Sequence, residues 1–105
     1  MKFCSSSAYA DFDLDEILAY LDGLPDEPAN RILDSIEETL QSIAKQPYLG
    51  AAHSELTRLL GEEVRSRLVA PYRIFYRVGR SGPEILSILH GARDQRNLLT
   101  SRFTQ

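Results

Sequence analysis

The spacing of hydrophobic positions changes near the middle of the chain. In the first half Leu14, Ile17, Leu18, Leu21 and Leu24 recur at helical spacing, and Ser7 is placed to cap the helix that carries them. Gly23 and Pro25 end it. Asp26 can cap a second helix, with Pro28 tolerated in the first turn. Ala29, Ile32, Leu33, Ile36, Leu40, Ile43 and Ala44 form its apolar stripe, which Pro47 stops. The short connection predicts an antiparallel helical hairpin. Residues 47–62 read as a loop with a helical turn over Glu55–Leu60. From Val64 the period becomes two. Strands are expected at Val64–Val69, Tyr72–Val78 and Glu84–His90, with turns at Ala70-Pro71 and Arg80-Ser81-Gly82. Turns this short make an antiparallel meander. Residues 2–6 predict a short strand, Leu98 and Leu99 a short C-terminal helix, and Ser101–Gln105 a frayed end. The order β-α-α-β-β-β predicts an α+β fold: one domain over residues 1–105, with a helical hairpin on one face of an antiparallel sheet.

The alternation also assigns faces. Tyr72, Ile74, Tyr76 and Val78 share one side of the middle strand, and Arg73, Phe75 and Arg77 the other. Arginines are poor core residues, so the first set is expected to meet the hairpin. In the preceding strand Arg65, Arg67 and Val69 alternate with Val64, Ser66 and Leu68. With matched faces, Arg65, Arg67, Arg73 and Arg77 converge on the open face around Phe75. Such a cluster can grip an acidic peptide, a phosphate backbone or an acidic protein surface. The plainer alternative is a solvated face with local Arg–Glu pairs.

Composition and charge sharpen this picture. With 43% hydrophobic and 26% charged residues the chain is globular, and no apolar run is long enough to span a membrane. Asp11, Asp13, Asp15 and Glu16 stand where a signal peptide would be apolar, so a cytoplasmic location is expected. The single cysteine, Cys4, excludes an internal disulfide and reads as a small core residue. The net charge of −3 divides unevenly: residues 1–52 carry three bases against ten acids, and residues 53–105 nine arginines against five acids. This asymmetry suggests either a polarised molecule with a binding surface in its C-terminal half or a set of solvated charges that balance one another.

Little of this points to chemistry by the chain itself. The helix-one acids spread around their cylinder and read as solvated and favoured by the helix dipole. His53 reads as a solvated loop residue and His90, just before Gly91, as a structural one. Two distant histidines make no metal site, and no metal or cofactor is expected. Gly61, Gly79 and Gly82 read as turn residues. Arg93-Asp94 is either a structural pair fixing the C-terminal turn or part of a partner-binding surface.

The run Tyr-Arg-Ile-Phe-Tyr-Arg-Val at Tyr72–Val78, then Glu-Ile-Leu-Ser-Ile-Leu, then His-Gly-Ala-Arg-Asp ending at Asp94, closely resembles the C-terminal half of ParE-type toxins of the RelE/ParE superfamily. Asp-Leu-Asp-Glu-Ile at Asp13–Ile17, and Ile32–Ala44 followed by Gln-Pro-Tyr-Leu-Gly, resemble the family's two helices and exit loop. The resemblance spans nearly the whole chain. It implies a toxin of a type II toxin–antitoxin system, forming a hetero-oligomer with a ParD-like antitoxin whose acidic, amphipathic C-terminal segment wraps it. ParE-like members inhibit DNA gyrase without a catalytic centre, whereas RelE-like members cut messenger RNA on the ribosome. RelE-like enzymes resemble one another in several lysines and arginines plus a C-terminal Tyr or His. After Asp94 this chain has neither, and its only lysines are Lys2 and Lys45. An overall acidic chain is also a poor binder of ribosomal RNA. The expected function is therefore gyrase inhibition by protein contact, with no membrane and no sequence-specific nucleic-acid binding. A ribosome-dependent ribonuclease, with His90 and Arg93 as base and phosphate clamp, and a non-toxic antitoxin-binding module are the alternatives. The residues expected to meet antitoxin or target are Arg65, Arg67, Arg73, Phe75, Arg77, His90 and Arg93.

Overall fold

The computed structural model describes Met1 and residues 3–104. The helical hairpin forms as its apolar stripe requires. Helix α1 (Ala8–Asp22) starts at Ser7, whose hydroxyl oxygen accepts the Ala10 amide at 3.0 Å and whose hydroxyl hydrogen goes to the Leu86 carbonyl at 2.7 Å. One serine thus caps the helix and ties it to a strand. Helix α2 (Asp26–Lys45) begins one residue earlier than expected. Pro25 takes the capping position, so Asp26 joins Glu27 in the first turn, where the helix dipole favours acids. The helix ends before Pro47, which forbids the helical conformation at Gln46.

A 3₁₀ turn (Pro47–Leu49), strand β2 (Ala51–Ala52) and helix α3 (Ser54–Leu60) follow, and α3 closes on Gly61 in the left-handed conformation. The meander is β3 (Val64–Val69), β4 (Tyr72–Gly79) and β5 (Gly82–His90). The N-terminal strand is only β1 (Ser5–Ser6), parallel to β5. Lys2 lies outside the described residues, while Phe3 and Cys4 pack against the hairpin core instead of extending the strand. Burial raises the Cys4 thiol pKa. The five strands lie in the order β1-β5-β4-β3-β2, a mixed sheet.

The hairpin packs on one face over Ile17, Leu21, Ile36, Leu40, Ile43, Tyr72, Ile74, Tyr76, Ile85 and Ile88. This is the face expected from Tyr72, Ile74, Tyr76 and Val78. In β5, Ile85 and Ile88 are an odd number of residues apart, so strict alternation would send them to opposite faces. A bulge at Leu86, where Phe75 pairs with Ser87 and Tyr76 with Ile85, resets the phase and keeps both inside.

The opposite face is not open. Helices α3 and α4 (Gln95–Phe103) cover it with a second core of Leu56, Val64, Phe75, Leu86, Leu89 and Leu99, backed by Leu60, Leu98 and Phe103. The end expected to fray is therefore structured through Phe103, and Gln105 lies outside the described residues. The reason is a buried ion pair. Arg102 donates to both carboxylate oxygens of Asp13, at 2.7 and 3.0 Å, and to the Ser87 hydroxyl at 3.0 Å. Asp13 was expected to be a solvated acid but is 2% exposed, and it also accepts the Ile88 amide at 3.1 Å. Strand β1 pairs only with Glu84 and Ile85, so α1 side chains satisfy the β5 edge beyond it.

Candidate functional site

The register decides where the arginines go. The Ala70-Pro71 turn holds two residues, so Val69 pairs with Tyr72 and each earlier pair follows: Leu68 with Arg73, Arg67 with Ile74, Ser66 with Phe75 and Arg65 with Tyr76. Directly paired residues share a face. Arg65 and Arg67 therefore lie on the hairpin side, and Arg73 and Arg77 on the α3/α4 side. The expected convergence of the four on one face does not occur. Phe75 is no exposed aromatic centre either: it is 2% exposed, in the second core.

What Arg67 and Arg73 flank instead is an edge. Strand β2 pairs with β3 only at Arg65 and Ser66, so no strand covers the outer edge of Arg67–Val69. Leu68 stands out from that stretch, 64% exposed, and nearby in sequence to β2 the 3₁₀ turn presents Tyr48 and Leu49, 61% and 64% exposed. An unpaired edge with apolar side chains is a template for an added strand.

The arginines differ in how far they are already engaged. Arg65 donates to Glu63 at 2.5 Å and to the carbonyls of Tyr48 and Gly50 at 3.0 and 2.8 Å, and it lies over the Tyr48 ring. It clamps the 3₁₀ turn. Arg77 pairs with Glu62 and, at 2.5 Å, with Glu84. Its pKa is raised, chiefly by the Glu62 hydrogen bond. Among the described residues Arg67 and Arg73 have only hydroxyl partners: Ser42 for Arg67 at 2.9 Å and Ser66 for Arg73 at 3.0 Å. Their charge remains available to a carboxylate. They sit one residue apart in register, on opposite faces, with Leu68 between them.

Beneath Arg73 lies a cluster the sequence reading missed. His53 is half-buried rather than a solvated loop residue: its Nε2 is 2.6 Å from the Ser66 Oγ, and its ring is tilted against Phe75 at 5.5 Å. Burial, and then the Arg73 charge, lower its pKa. With Arg73 donating to the Ser66 oxygen, the serine hydrogen is left for a neutral His53 ring. Ser66 is 1% exposed, so this trio positions Arg73 and offers no nucleophile to solvent. No local signal announces the trio, because it joins a loop to two strands.

His90 ends β5, two strands in from this edge, and Arg93 lies just past it. His90 accepts the Ala92 amide on Nδ1 at 3.0 Å and meets Tyr72 edge-on at 5.7 Å. Arg93 forms no pair with Asp94. That carboxylate turns instead to cap α4, accepting the Asn97 amide at 3.3 Å and its side-chain amide at 2.7 Å. Both residues line a separate cavity with α1.

Among the described residues no group of three or more His, Cys, Asp and Glu side chains could hold a metal ion, and no helix is long and apolar enough to cross a membrane. No curated protein is similar enough to match the chain. The family model of the ParE toxin of the type II toxin–antitoxin system parDE matches residues 6–95, which takes in the hairpin, the β3 edge and the whole meander. With most of its length matched, the chain belongs to the ParE toxin family of type II toxin–antitoxin systems.

Proposed function

We propose that this toxin inhibits DNA gyrase by protein–protein contact, without a catalytic centre of its own, and that a cognate ParD-like antitoxin neutralises it. The antitoxin would lay an acidic, amphipathic segment along the β3 edge. The observation that carries this reading is a strand edge with no paired strand, beside two cations, Arg67 and Arg73, that have no carboxylate partner among the described residues, around exposed Leu68. An extended segment can bond that edge through its backbone, bury Leu68, and present acids to the arginine on each face. Such a segment is disordered until bound, so its ordering cost must be offset by these contacts. Arg77 belongs to the structure rather than to this surface, because Glu62 and Glu84 already hold it. The ribonuclease alternative is disfavoured because no Tyr or His follows Asp94, where RelE-like enzymes carry one.

The test is supercoiling of relaxed plasmid by purified gyrase with ATP, titrated with the chain freed from antitoxin. Loss of supercoiled product with build-up of linear, cleaved DNA is expected. Undiminished supercoiling at excess protein overturns the gyrase reading, and message cleavage on translating ribosomes would then replace it.

A further inference from the structure

One buried hydroxyl serves two side chains of different charge. The Ser66 oxygen accepts Arg73 Nη1 at 3.0 Å and stands 2.6 Å from His53 Nε2. A neutral His53 ring accepts the serine hydrogen and leaves the oxygen to Arg73. An imidazolium has no lone pair for that hydrogen. It would have to donate to the oxygen that Arg73 already occupies, beside a second cation. A protonated His53 and an Arg73 held at Ser66 therefore oppose each other.

The other elements around the ring do not offset this opposition. Strand β2 brings Ala52, β3 brings Ser66, and β4 brings Phe75 with Arg73. Glu55 of α3 and Arg96 of α4 share a pocket with the ring, but both are exposed and they pair with each other at 2.7 Å. Arg73 also borders the open edge. Leu68 is its direct cross-strand partner, shares its face of the sheet and is exposed. A carboxylate arriving over Leu68 can draw the guanidinium off Ser66 and neutralise it. The serine oxygen is then free to accept from a protonated ring, which no longer meets an unpaired cation.

We propose that His53 couples the capture of a carboxylate at Arg73 to the uptake of one proton from solvent, so that the β3 edge holds an acidic segment more tightly in mild acid than at neutral pH. The proposal rests on the antitoxin reading for the source of that segment. Burial, and then Arg73, lower the pKa of the free ring, and the carboxylate removes the second cause while the first remains. Binding and protonation are linked, so each favours the other. Affinity rises as the pH falls through the bound ring's value and levels off below the free ring's.

The chain itself can supply the carboxylate. Leu68→Glu places one directly across from Arg73 at an exposed position, and Leu68→Gln is its neutral control. The Hε1 resonance of His53, told from that of His90 by its loss in His53→Gln, is followed in the full chain from about pH 8 to about pH 5. The His53 pKa should be higher in Leu68→Glu than in Leu68→Gln, and in an Arg73→Leu background that difference should largely vanish. Equal values in the two Leu68 variants, or the same difference with and without Arg73, would overturn the coupling. In the purified complex with the antitoxin the ring should again titrate at higher pH than in the free chain. Lowering the pH from 7.5 to 5.5 should tighten that complex about twofold to fivefold, the strength of one exposed charge pair. His53→Gln should flatten the dependence, and a dependence that persists undiminished in His53→Gln would also overturn the coupling. A rise in Leu68→Glu with none in the complex would keep the coupling and overturn the antitoxin's seat at Arg73.

Discussion

The two faces of the sheet are held by different forces. On the hairpin face α2 alone buries Ile36, Leu40 and Ile43 against Ile74, Tyr76 and Ile85, and little but apolar contact is needed. Each such side chain contributes about 1.5–3 kcal/mol by leaving water. On the other face α3 and α4 are short, and their apolar core is smaller. Polar ties supplement it: Arg102 to Asp13, His53 to Ser66 and Arg73, and the exposed Arg96 to Glu55 at 2.7 Å. Apolar packing tolerates small changes because it is undirected. Polar ties fail individually and abruptly, because a buried group left without its partner costs more than the pair contributes. The second face is thus the conditional half of the molecule, and α4 its least independent element.

Arg102→Met is the most severe way to expose that difference. It leaves the Asp13 carboxylate, 2% exposed, without its cation. Breaking a buried pair in this way costs about 3–5 kcal/mol. Adding Asp13→Asn removes the stranded charge but keeps an acceptor for the Ile88 amide, and should restore most of the loss. Urea denaturation of the single and double variants reads this. A loss below about 1 kcal/mol in Arg102→Met, the range of an exposed pair, would mean that α4 is held by Leu99 and not by the ion pair.

That ion pair also marks what a sequence can reveal. The hairpin and three of the strands are legible because their apolar positions repeat locally. Asp13 looks like any acid in a helix start, and its partner lies near the other end of the chain. Only the tertiary fold brings them together. The arginine faces are an intermediate case. Alternation within β3 and within β4 is plain, but it leaves their relative phase open. The two-residue turn at Ala70-Pro71 fixes that phase, and taking Val69 opposite Tyr72 from it separates Arg65 and Arg67 from Arg73 and Arg77. Leu68, Tyr48 and Leu49 went unread as a surface because exposure of isolated apolar residues has no pattern.

A second comparison lies within the hairpin face, at the polar seam around Tyr76. The Tyr76 hydroxyl donates to the Pro47 carbonyl at 2.5 Å and accepts the Gly50 amide at 3.2 Å. Gly50 is needed there for space. A Cβ would collide with the Tyr76 hydroxyl and stand 2.9 Å from the Ser66 carbonyl. Gly50→Ala should therefore cost about 1–3 kcal/mol, the range for overpacking. In a Tyr76→Phe background the added penalty should shrink, since the nearest obstacle is gone. Thermal unfolding of the double-mutant cycle tests it: strict additivity would mean that the 3₁₀ turn moves freely and does not bear on Tyr76.

The smallest effect expected is on the pH dependence, and it again belongs to the conditional face. His53 has a lowered pKa in the fold, first through burial and then through Arg73. In the unfolded chain it titrates near its ordinary value, about 6.5. The unfolded state then binds the proton more readily, so the stabilisation from the neutral ring is complete above about pH 6.5 and is lost as the pH falls through the folded value. Carboxylates also titrate on the acid side, so the informative quantity is a difference between variants. His53→Gln keeps a polar group toward Ser66 but cannot take up the proton. Its denaturation midpoint should fall less steeply than wild type between pH 7 and 5, and Arg73→Leu should reduce the wild-type slope because one cause of the shift is gone. Parallel midpoint curves for wild type and His53→Gln would show that the ring is not held neutral. The hydrogen in the His53–Ser66 contact would then have to come from the imidazolium, and Arg73 would stand beside a second cation instead of a neutral support.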